Sequence, residues 1–234
     1  MKLSVIIPVY NEEQTIYEII HKVNNQKKNI ILEIIVVDDF SSDETRLILN
    51  KMKDQNLIDH LIFLDKNYGK GYAIRVALKK CVGKIVIIQD ADLEYDPSDY
   101  NIMLSLMDNK KIQCLYGSRV LGKKRYQQTN FLSSFRIFGN HFLTILTNLI
   151  YSQKLTDAHT CYKMLDTDLM KSLILRENRF SFCPELTSKI SKKGIKIYEC
   201  PINYNGRSYD EGKKITFVDG LEAIWALIKY RFYN

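Results

Sequence analysis

The segment Ile85-Val86-Ile87-Ile88-Gln89-Asp90-Ala91-Asp92 joins a short apolar run to two carboxylates spaced i and i+2. In extended backbone, residues two apart point to the same side. Asp90 and Asp92 are therefore expected to face one hard divalent cation, with Glu94 near enough to supply a third oxygen. Mg²⁺ commonly takes one or two carboxylates plus substrate phosphates, and a diphosphate leaving group needs that neutralisation. The bland alternative is an acidic loop that caps the next helix, which Asp96-Pro97-Ser98 could do alone. A bare D-x-D is common by chance, so its weight depends on its surroundings.

A second acidic pair ends another apolar run, in Val36-Val37-Asp38-Asp39-Phe40-Ser41-Ser42-Asp43. Carboxylates at such a place can accept hydrogen bonds from a base N–H or from ribose hydroxyls. Helix capping by Ser41, Ser42 or Asp43 accounts for the polar turn, but not for two acids ahead of it. A third segment, Asn67-Tyr68-Gly69-Lys70-Gly71-Tyr72, has two glycines before a helix. Its spacing is neither a dinucleotide fingerprint nor a Walker A loop. It reads either as a turn with glycine at positive φ or as a place where Lys70 or Arg75 meets a phosphate.

These groups need elements that bring them together. Val- and Ile-rich runs at residues 3–9, 33–37, 61–64, 85–88 and 112–116 predict strands, and amphipathic stretches at 13–25, 43–53, 71–80 and 98–108 predict helices between them. Strands apolar on both faces and alternating with helices predict a mainly parallel α/β sheet covered on both sides. Ligands in such sheets bind beyond the carboxyl ends of the strands. The acidic pairs, the 67–71 loop and Tyr10-Asn11-Glu12 all fall there. The second half reads as a very apolar helix over 131–151, a polar turn with a few strand-like residues at 155–165, and helices near 168–175 and 184–193. A strand at 195–200, a basic loop at 206–214 and a last helix at 217–232 complete it.

The chain has 234 residues, no repeat or low-complexity tract, and only four prolines, so one domain is expected. Its net charge of +7 favours anionic partners. Basic residues gather late, at Lys123-Lys124-Arg125, Lys192-Lys193, Lys213-Lys214 and Lys229/Arg231. No basic surface motif interleaved with aromatics argues for nucleic acid. Five irregularly spaced cysteines without a C-x-x-C pair argue against a disulfide framework or structural zinc, and for reduced thiols. The first residues read as a strand rather than a signal peptide, and no run reaches the ~18–20 apolar residues of a membrane span. The 131–151 helix and the aromatic and cationic tail at 221–233 nonetheless suit a bilayer headgroup region, a core, or contact with a second copy of the chain.

In combination, VIIPVYNEE, EIIVVDDFSSDET, NYGKGYAIRVAL and IVIIQDADLEYDP resemble glycosyltransferase family 2, whose fold is GT-A, Rossmann-like. The segments YGSRV, FGNHFLTILTNLIYSQKLTDAHTCYKML and PELTSKISKKGIKIYECPINYNGRSYDEGKK narrow the resemblance to the polyprenyl-phosphate sugar transferases, the dolichol-phosphate mannosyltransferase-like branch. It covers about 210 residues of this chain. It implies one GT-A domain over 1–234, with a nucleotide-sugar-binding half at 1–118 and an acceptor half at 119–234 that ends in amphipathic, membrane-interface helices. Pro8, Tyr10, Glu12 and Asp39 would line the nucleoside pocket, Asp90 and Asp92 would hold the diphosphate and Mg²⁺ or Mn²⁺ with Glu94 as a third ligand, and Lys70 completes the nucleotide-sugar-binding set beside a phosphate. Arg119 would neutralise phosphate, and Asp157 would orient a sugar hydroxyl or act as base. Arg207, Lys213 and Arg136 would meet the acceptor phosphate. Phe40 stands where the family usually has Gly, Glu94 where the dolichol-type enzymes often have Gln, and Arg136 aligns loosely with a family arginine. No role attaches to His141 or His159.

Motif order and resemblance together lead to one reaction. A hexose moves from a nucleotide sugar, with UDP-sugars favoured and GDP-mannose the other candidate, to a polyprenyl phosphate in a single inverting displacement. Positioning and charge stabilisation would dominate, because a phosphate acceptor is already ionised at neutral pH. The enzyme would work at the cytoplasmic face of a membrane, bound peripherally or through a membrane-protein partner. The rival acceptor is a saccharide or glycolipid hydroxyl, which needs a general base. A sugar-phosphate nucleotidyltransferase is disfavoured because Val9-Tyr10-Asn11-Glu12 is nothing like its Gly-rich loop. A non-catalytic nucleotide-sugar-binding or scaffold protein is disfavoured by the intact Asp90 and Asp92.

Overall fold

Successive apolar positions such as Val5-Ile6-Ile7 and Ile34-Ile35-Val36-Val37 leave a strand no face that prefers water. The computed structural model describes residues 2–121, 131–207 and 217–233, with side chains at all of these except 131–137 and 217. It covers both faces of the strands with helices. The strands are β1 (Lys2–Val9), β2 (Ile31–Asp38), β3 (His60–Phe63), β4 (Ile85–Ile88), β5 (Cys114–Ser118), β6 (Lys163–Asp166) and β7 (Tyr198–Pro201). The helices are α1 (Ile16–Asn25), α2 (Thr45–Asp54), α3 (Lys70–Leu78), α4 (Tyr100–Lys110), α5 (Phe131–Tyr151), α6 (Thr167–Lys171), α7 (Phe182–Lys192) and α8 (Phe217–Phe232).

Among the described residues the sheet has seven strands in the order β3-β2-β1-β4-β6-β5-β7. The pairs β1/β2, β1/β4, β2/β3 and β5/β7 are parallel. Only β6 runs against its neighbours, β4 and β5. The strand pattern of β6 is hidden in the sequence because Lys163 sits in it, wholly buried, with Nζ donating to the Ala158 carbonyl at 2.9 Å.

One face of the sheet packs Leu3, Val5 and Ile7 against α1, α2 and α4; the other packs Ile6, Ile35 and Val37 against α3 and α7. In α1, Ile16, Ile19, Ile20 and Val23 recur at helical spacing and are all fully buried. Each such side chain contributes about 1.5–3 kcal/mol. Helices α5 and α8 pack on each other through Leu143, Tyr151, Ala223 and Leu227, with Tyr151 Oη donating to the Leu227 carbonyl at 2.7 Å.

A buried carboxylate ties the amino-terminal edge of the sheet together. Glu33 Oε1 accepts from Ser4 Oγ at 2.5 Å and from the amides of Val82 and Gly83 at 2.7 and 3.0 Å. Burial alone would raise this carboxyl, but the donors from Ser4, Val82, Lys2 and Gly83 outweigh it and hold it below the usual glutamate value. A lowered folded-state pKa contributes stability above the ordinary glutamate range, lost as pH falls through it. Glu33→Ala is therefore expected to cost about 2–3 kcal/mol at neutral pH by urea unfolding, with the gap to wild type narrowing in acid. An unchanged midpoint at neutral pH would contradict this.

Candidate active site

Parallel pairing sets where the polar groups collect. Val9 lies opposite Asp38, and Ile6 opposite Ile88, so β1, β2 and β4 deliver their carboxyl ends to one edge. Pro8 is still in β1, facing Val37, while Tyr10 is exposed just beyond it.

The Asp38–Asp43 segment is chiefly a scaffold for that edge. Asp38 is fully buried; its Oδ2 accepts from the Ser41 amide at 3.2 Å and lies 3.2 Å from Arg46 Nε. Asp39 accepts the amides of Tyr68 and Gly69 at 2.8 and 2.7 Å. Burial raises its carboxyl, and those two amides pull it back. In this structure the Asp39 carboxylate, expected to face a base or ribose, fastens the 67–69 loop to the sheet edge. Phe40 has φ of 67°, in the left-handed region where a glycine sits without strain. That geometry explains why the resembling family usually has Gly there. Asp43, just ahead of α2, accepts the Thr45 amide at 3.0 Å, and Asp96 caps the turn before α4 by accepting the Ser98 amide at 2.9 Å.

Asp90 and Asp92 do come together, by a different backbone from the extended one expected. Strand β4 ends at Ile88, and residues 91–94 form a turn in which Asp92 Oδ1 accepts the Glu94 amide at 3.1 Å and Leu93 has φ of 62°. Lys70 Nζ is ion-paired to Asp90 Oδ1. Although burial works against its charge, Asp90 holds the Lys70 ammonium firmly protonated. Asp92 pairs with Arg207 at 3.2 Å, and the same guanidinium reaches both carboxylate oxygens of Glu12 at 3.2 Å. Burial, then the neighbouring charges of Asp90 and Glu94, push the Asp92 carboxyl up to about 7, with Arg207 pulling the other way.

Glu94 departs from the third-ligand expectation. Its Oε2 accepts from Tyr204 Oη at 2.9 Å and its Oε1 from the Arg207 amide at 2.7 Å. It fastens the 204–207 segment to the acidic turn. Among the described residues, no three metal-ligating side chains converge. Asp90 and Asp92 nonetheless fit a divalent ion: two partly buried carboxylates are neutralised here by Lys70 and Arg207, and Arg207 Nε is buried with no hydrogen-bond partner. An ion arriving with a diphosphate would satisfy the same charges with oxygen ligands.

Arg119 and Asp157 are spent on each other. Arg119 donates from Nε and from its amide to Asp157 Oδ2, at 2.6 and 3.1 Å, and from Nη2 to Oδ1 at 2.8 Å. Both are buried, at 9% and 1% exposure. The expected phosphate-neutralising arginine and sugar-side carboxylate are thus brought together as one ion pair in this structure. The pair is a buried strut between β5 and the turn before β6. Glu199 on β7 supports it by accepting the amides of Thr156 and Asp157 at 2.7 and 2.9 Å. The reading of the sequence missed Glu199, and also the ring cluster of Tyr95, Tyr162 and Tyr204, whose centroids lie 4.7 and 5.2 Å from that of Tyr95. Gln89 anchors the cluster, accepting from Tyr100 and Tyr162 hydroxyls at 2.5 and 2.6 Å. The signal was present as a polar residue at the end of an apolar strand. Lys213 lies outside the described residues, as does the side chain of Arg136.

Residues 4–174 match the model of Glycosyl transferase family 2, most of the chain. The chain belongs to glycosyl transferase family 2. Among curated relatives of this family-2 enzyme, dolichyl-phosphate beta-glucosyltransferase ALG5A of Trichomonas vaginalis is 27% identical over 246 residues, covering 99% of this chain and 73% of the relative. ALG5D of the same organism is 26% identical over 217 residues, covering 87% and 65%. An uncharacterized protein of Methanocaldococcus jannaschii is 25% identical over 237 residues, covering 99% and 93%. Among solved structures, glucosyl-3-phosphoglycerate synthase of Mycobacterium tuberculosis, in complex with Mn²⁺, UDP and phosphoglyceric acid, superposes with a TM-score of 0.75 at 18% identity, covering 100% of this chain and 79% of that one. The glycosyltransferase thus has the GT-A fold.

Removing Asp157 tests the strut directly. Asp157→Ala strands a buried guanidinium, and unfolding in urea is expected to show a loss of roughly 3–5 kcal/mol. A variant as stable as wild type would return Asp157 to the role of an accessible base.

Proposed function

We propose that this glycosyltransferase moves a hexose, with glucose favoured, from a nucleotide sugar to the phosphate of a polyprenyl phosphate, with inversion at the anomeric carbon. The observation that carries the reading is the pairing of Asp90 and Asp92 with two displaceable cations, Lys70 and Arg207, beside Glu12. The relatives named dolichyl-phosphate beta-glucosyltransferases support the acceptor class and the sugar. The UDP and Mn²⁺ or Mg²⁺ in the complexes of the mycobacterial synthase support a UDP-sugar and a divalent ion.

In this reading Pro8, Tyr10 and Glu12 border the nucleoside, and Asp39 shapes the same pocket through the 67–69 loop that it holds. Asp90 and Asp92 hold the ion, with Glu94 positioning the turn. The ion supplies charge neutralisation for the departing diphosphate. Lys70 and Arg207 turn from carboxylates to phosphates, Lys70 on the donor side and Arg207 on the acceptor side with Lys213 and Arg136. An acceptor phosphate oxygen attacks the anomeric carbon as its bond to the diphosphate oxygen breaks, releasing the nucleoside diphosphate. The Arg119–Asp157 strut favours this over a saccharide hydroxyl acceptor: the hydroxyl needs a base, and Asp157 is committed to Arg119.

A lipid acceptor needs a surface to reach it from. Phe138, Phe142, Ile145 and Leu149 form one exposed stripe on α5, and Val218, Leu221, Trp225, Ile228 and Phe232 form another on α8. Each recurs at helical spacing on helices that pack together. No helix among the described residues is long and apolar enough to cross a membrane. These stripes, with Lys229 and Arg231 in the last turn of α8, suit attachment to the headgroup region at the cytoplasmic face.

Two measurements test the reading. Purified protein with Mn²⁺ or Mg²⁺, a panel of UDP- and GDP-sugars and a short polyprenyl phosphate is expected to yield a lipid-extractable β-linked product from one donor. The Asp92→Ala protein is expected to lose at least about a hundredfold in rate, an electrostatic contribution of the usual size. A product on a saccharide instead, or full metal-dependent activity in Asp92→Ala, would contradict the proposal. In vesicle flotation with anionic lipid, Ile145→Asp with Trp225→Asp is expected to weaken binding more than about tenfold, given ~2 kcal/mol for each buried apolar side chain. Equal flotation of variant and wild type would remove the membrane face.

A further inference from the structure

The loop between α6 and α7 meets two parts of the molecule that the sequence keeps far apart, the turn that carries Lys70 and the last helix, α8. Glu177 reaches both. Its side chain is held by α8, where Lys229 Nζ and Tyr230 Oη donate to Oε1 at 2.8 and 2.6 Å. Burial alone would raise this carboxyl, but those donors, with the charge of Lys189, outweigh it and hold it below the usual glutamate value. Its carbonyl serves α3 instead: Arg75 donates from Nη1 to Glu177 O and from Nη2 to Asn178 Oδ1, both at 2.5 Å. From the α7 side, fully buried Glu185 accepts the amides of Arg176 and Glu177 at 2.8 Å each.

The same loop presses on the turn at Lys70. An amide in the first turn of a helix has no partner in that helix; that of Tyr72 donates to the Asn178 carbonyl at 3.1 Å. A Cβ on Gly69 would lie 2.5 Å from the Asn178 oxygen, and one on Gly71 would collide with the Glu177 oxygen. Glycine on each side of Lys70 is what lets the 177–178 backbone come this close. Asp39 takes the Tyr68 and Gly69 amides, so the turn is clamped between the sheet edge and residues 177–178.

We propose that Glu177 is a positioning residue for Lys70. Tied to α8 by its carboxylate and to α7 by its amide, it seats the Gly69–Gly71 turn and so holds the Lys70 ammonium against Asp90, where a donor diphosphate would meet it. Removing the carboxylate frees the loop from α8 while leaving its backbone groups in place. The same residue joins the helix that carries the exposed Trp225 and Ile228 to the cation of the donor site. The consequence for donor binding rests on the donor-site reading above; the seating of the turn does not.

Two readouts on the full chain test this. Hydrogen exchange followed by mass spectrometry is expected to speed about fivefold in a peptide spanning 68–73 of Glu177→Ala, the size of effect that a linking residue supplies. A peptide spanning 16–25 is expected to exchange as in wild type. Glu177→Gln keeps an oxygen for Tyr230 but loses the ion pair, and is expected to show the same pattern at about twofold. Unchanged exchange at 68–73, or equal acceleration in both peptides, would overturn the seating, whatever the enzyme binds. The second readout is UDP affinity in Mn²⁺, as a double-mutant cycle with Lys70→Ala. Glu177→Ala alone is expected to weaken UDP about fivefold, and to add nothing in the Lys70→Ala background. An unweakened Glu177→Ala, or losses that add, would overturn the route through Lys70. If wild type binds no UDP, the donor reading fails, and the exchange data alone decide the seating.

Discussion

Crowded negative charge is the constraint on which this structure turns. Parallel strands that end at one edge bring Glu12, Asp90, Asp92 and Glu94 close enough that burial and mutual repulsion push one carboxyl towards neutrality. Such a cluster stands only if cations answer it. Lys70 answers from the start of α3, and Arg207 from the far end of the chain, bridging Glu12 and Asp92. Arg207 is tied into place through its own amide by Glu94. Under the proposed function the cations that stabilise this cluster are also the ones that a phosphate-bearing substrate would attract, so that binding and release of Lys70 and Arg207 would belong to one exchange of partners.

Around that cluster, several carboxylates hold backbone segments in place. Asp39 holds the 67–69 loop, Glu94 holds the 204–207 segment, and Glu199 and Asp157 hold the turn before β6. Pre-organisation of this kind is what a transfer dominated by positioning requires. Among the described residues the one antiparallel strand, β6, matters for the same reason: it starts at Lys163, directly after Tyr162 of the ring cluster, and runs back between β4 and β5.

The fold was largely legible because its strands are apolar at consecutive positions and its helices amphipathic. Strand β4 was read to the residue, and α5 and α8 likewise. Strand β6 was blurred by buried Lys163, whose charge hides a core position from any hydropathy pattern. Within the site, residue types were readable but partners were not. Asp39 and Asp157 look like substrate-facing carboxylates in one dimension; the fold adds the backbone amides and Arg119 that hold them. Phe40 is the converse case, since its departure from Gly in the resembling family gained a physical meaning once its φ was known.

The central claim is that Asp90 and Asp92 exchange organic cations for a divalent ion that arrives with a nucleotide diphosphate. Titrating Mn²⁺ into the protein with and without UDP, and following free Mn²⁺ by electron paramagnetic resonance, tests it most directly. The account predicts that UDP tightens Mn²⁺ binding by at least about tenfold, and that Asp90→Asn or Asp92→Asn abolishes the gain. Mn²⁺ binding that is indifferent to UDP, or a gain that survives both substitutions, would contradict it.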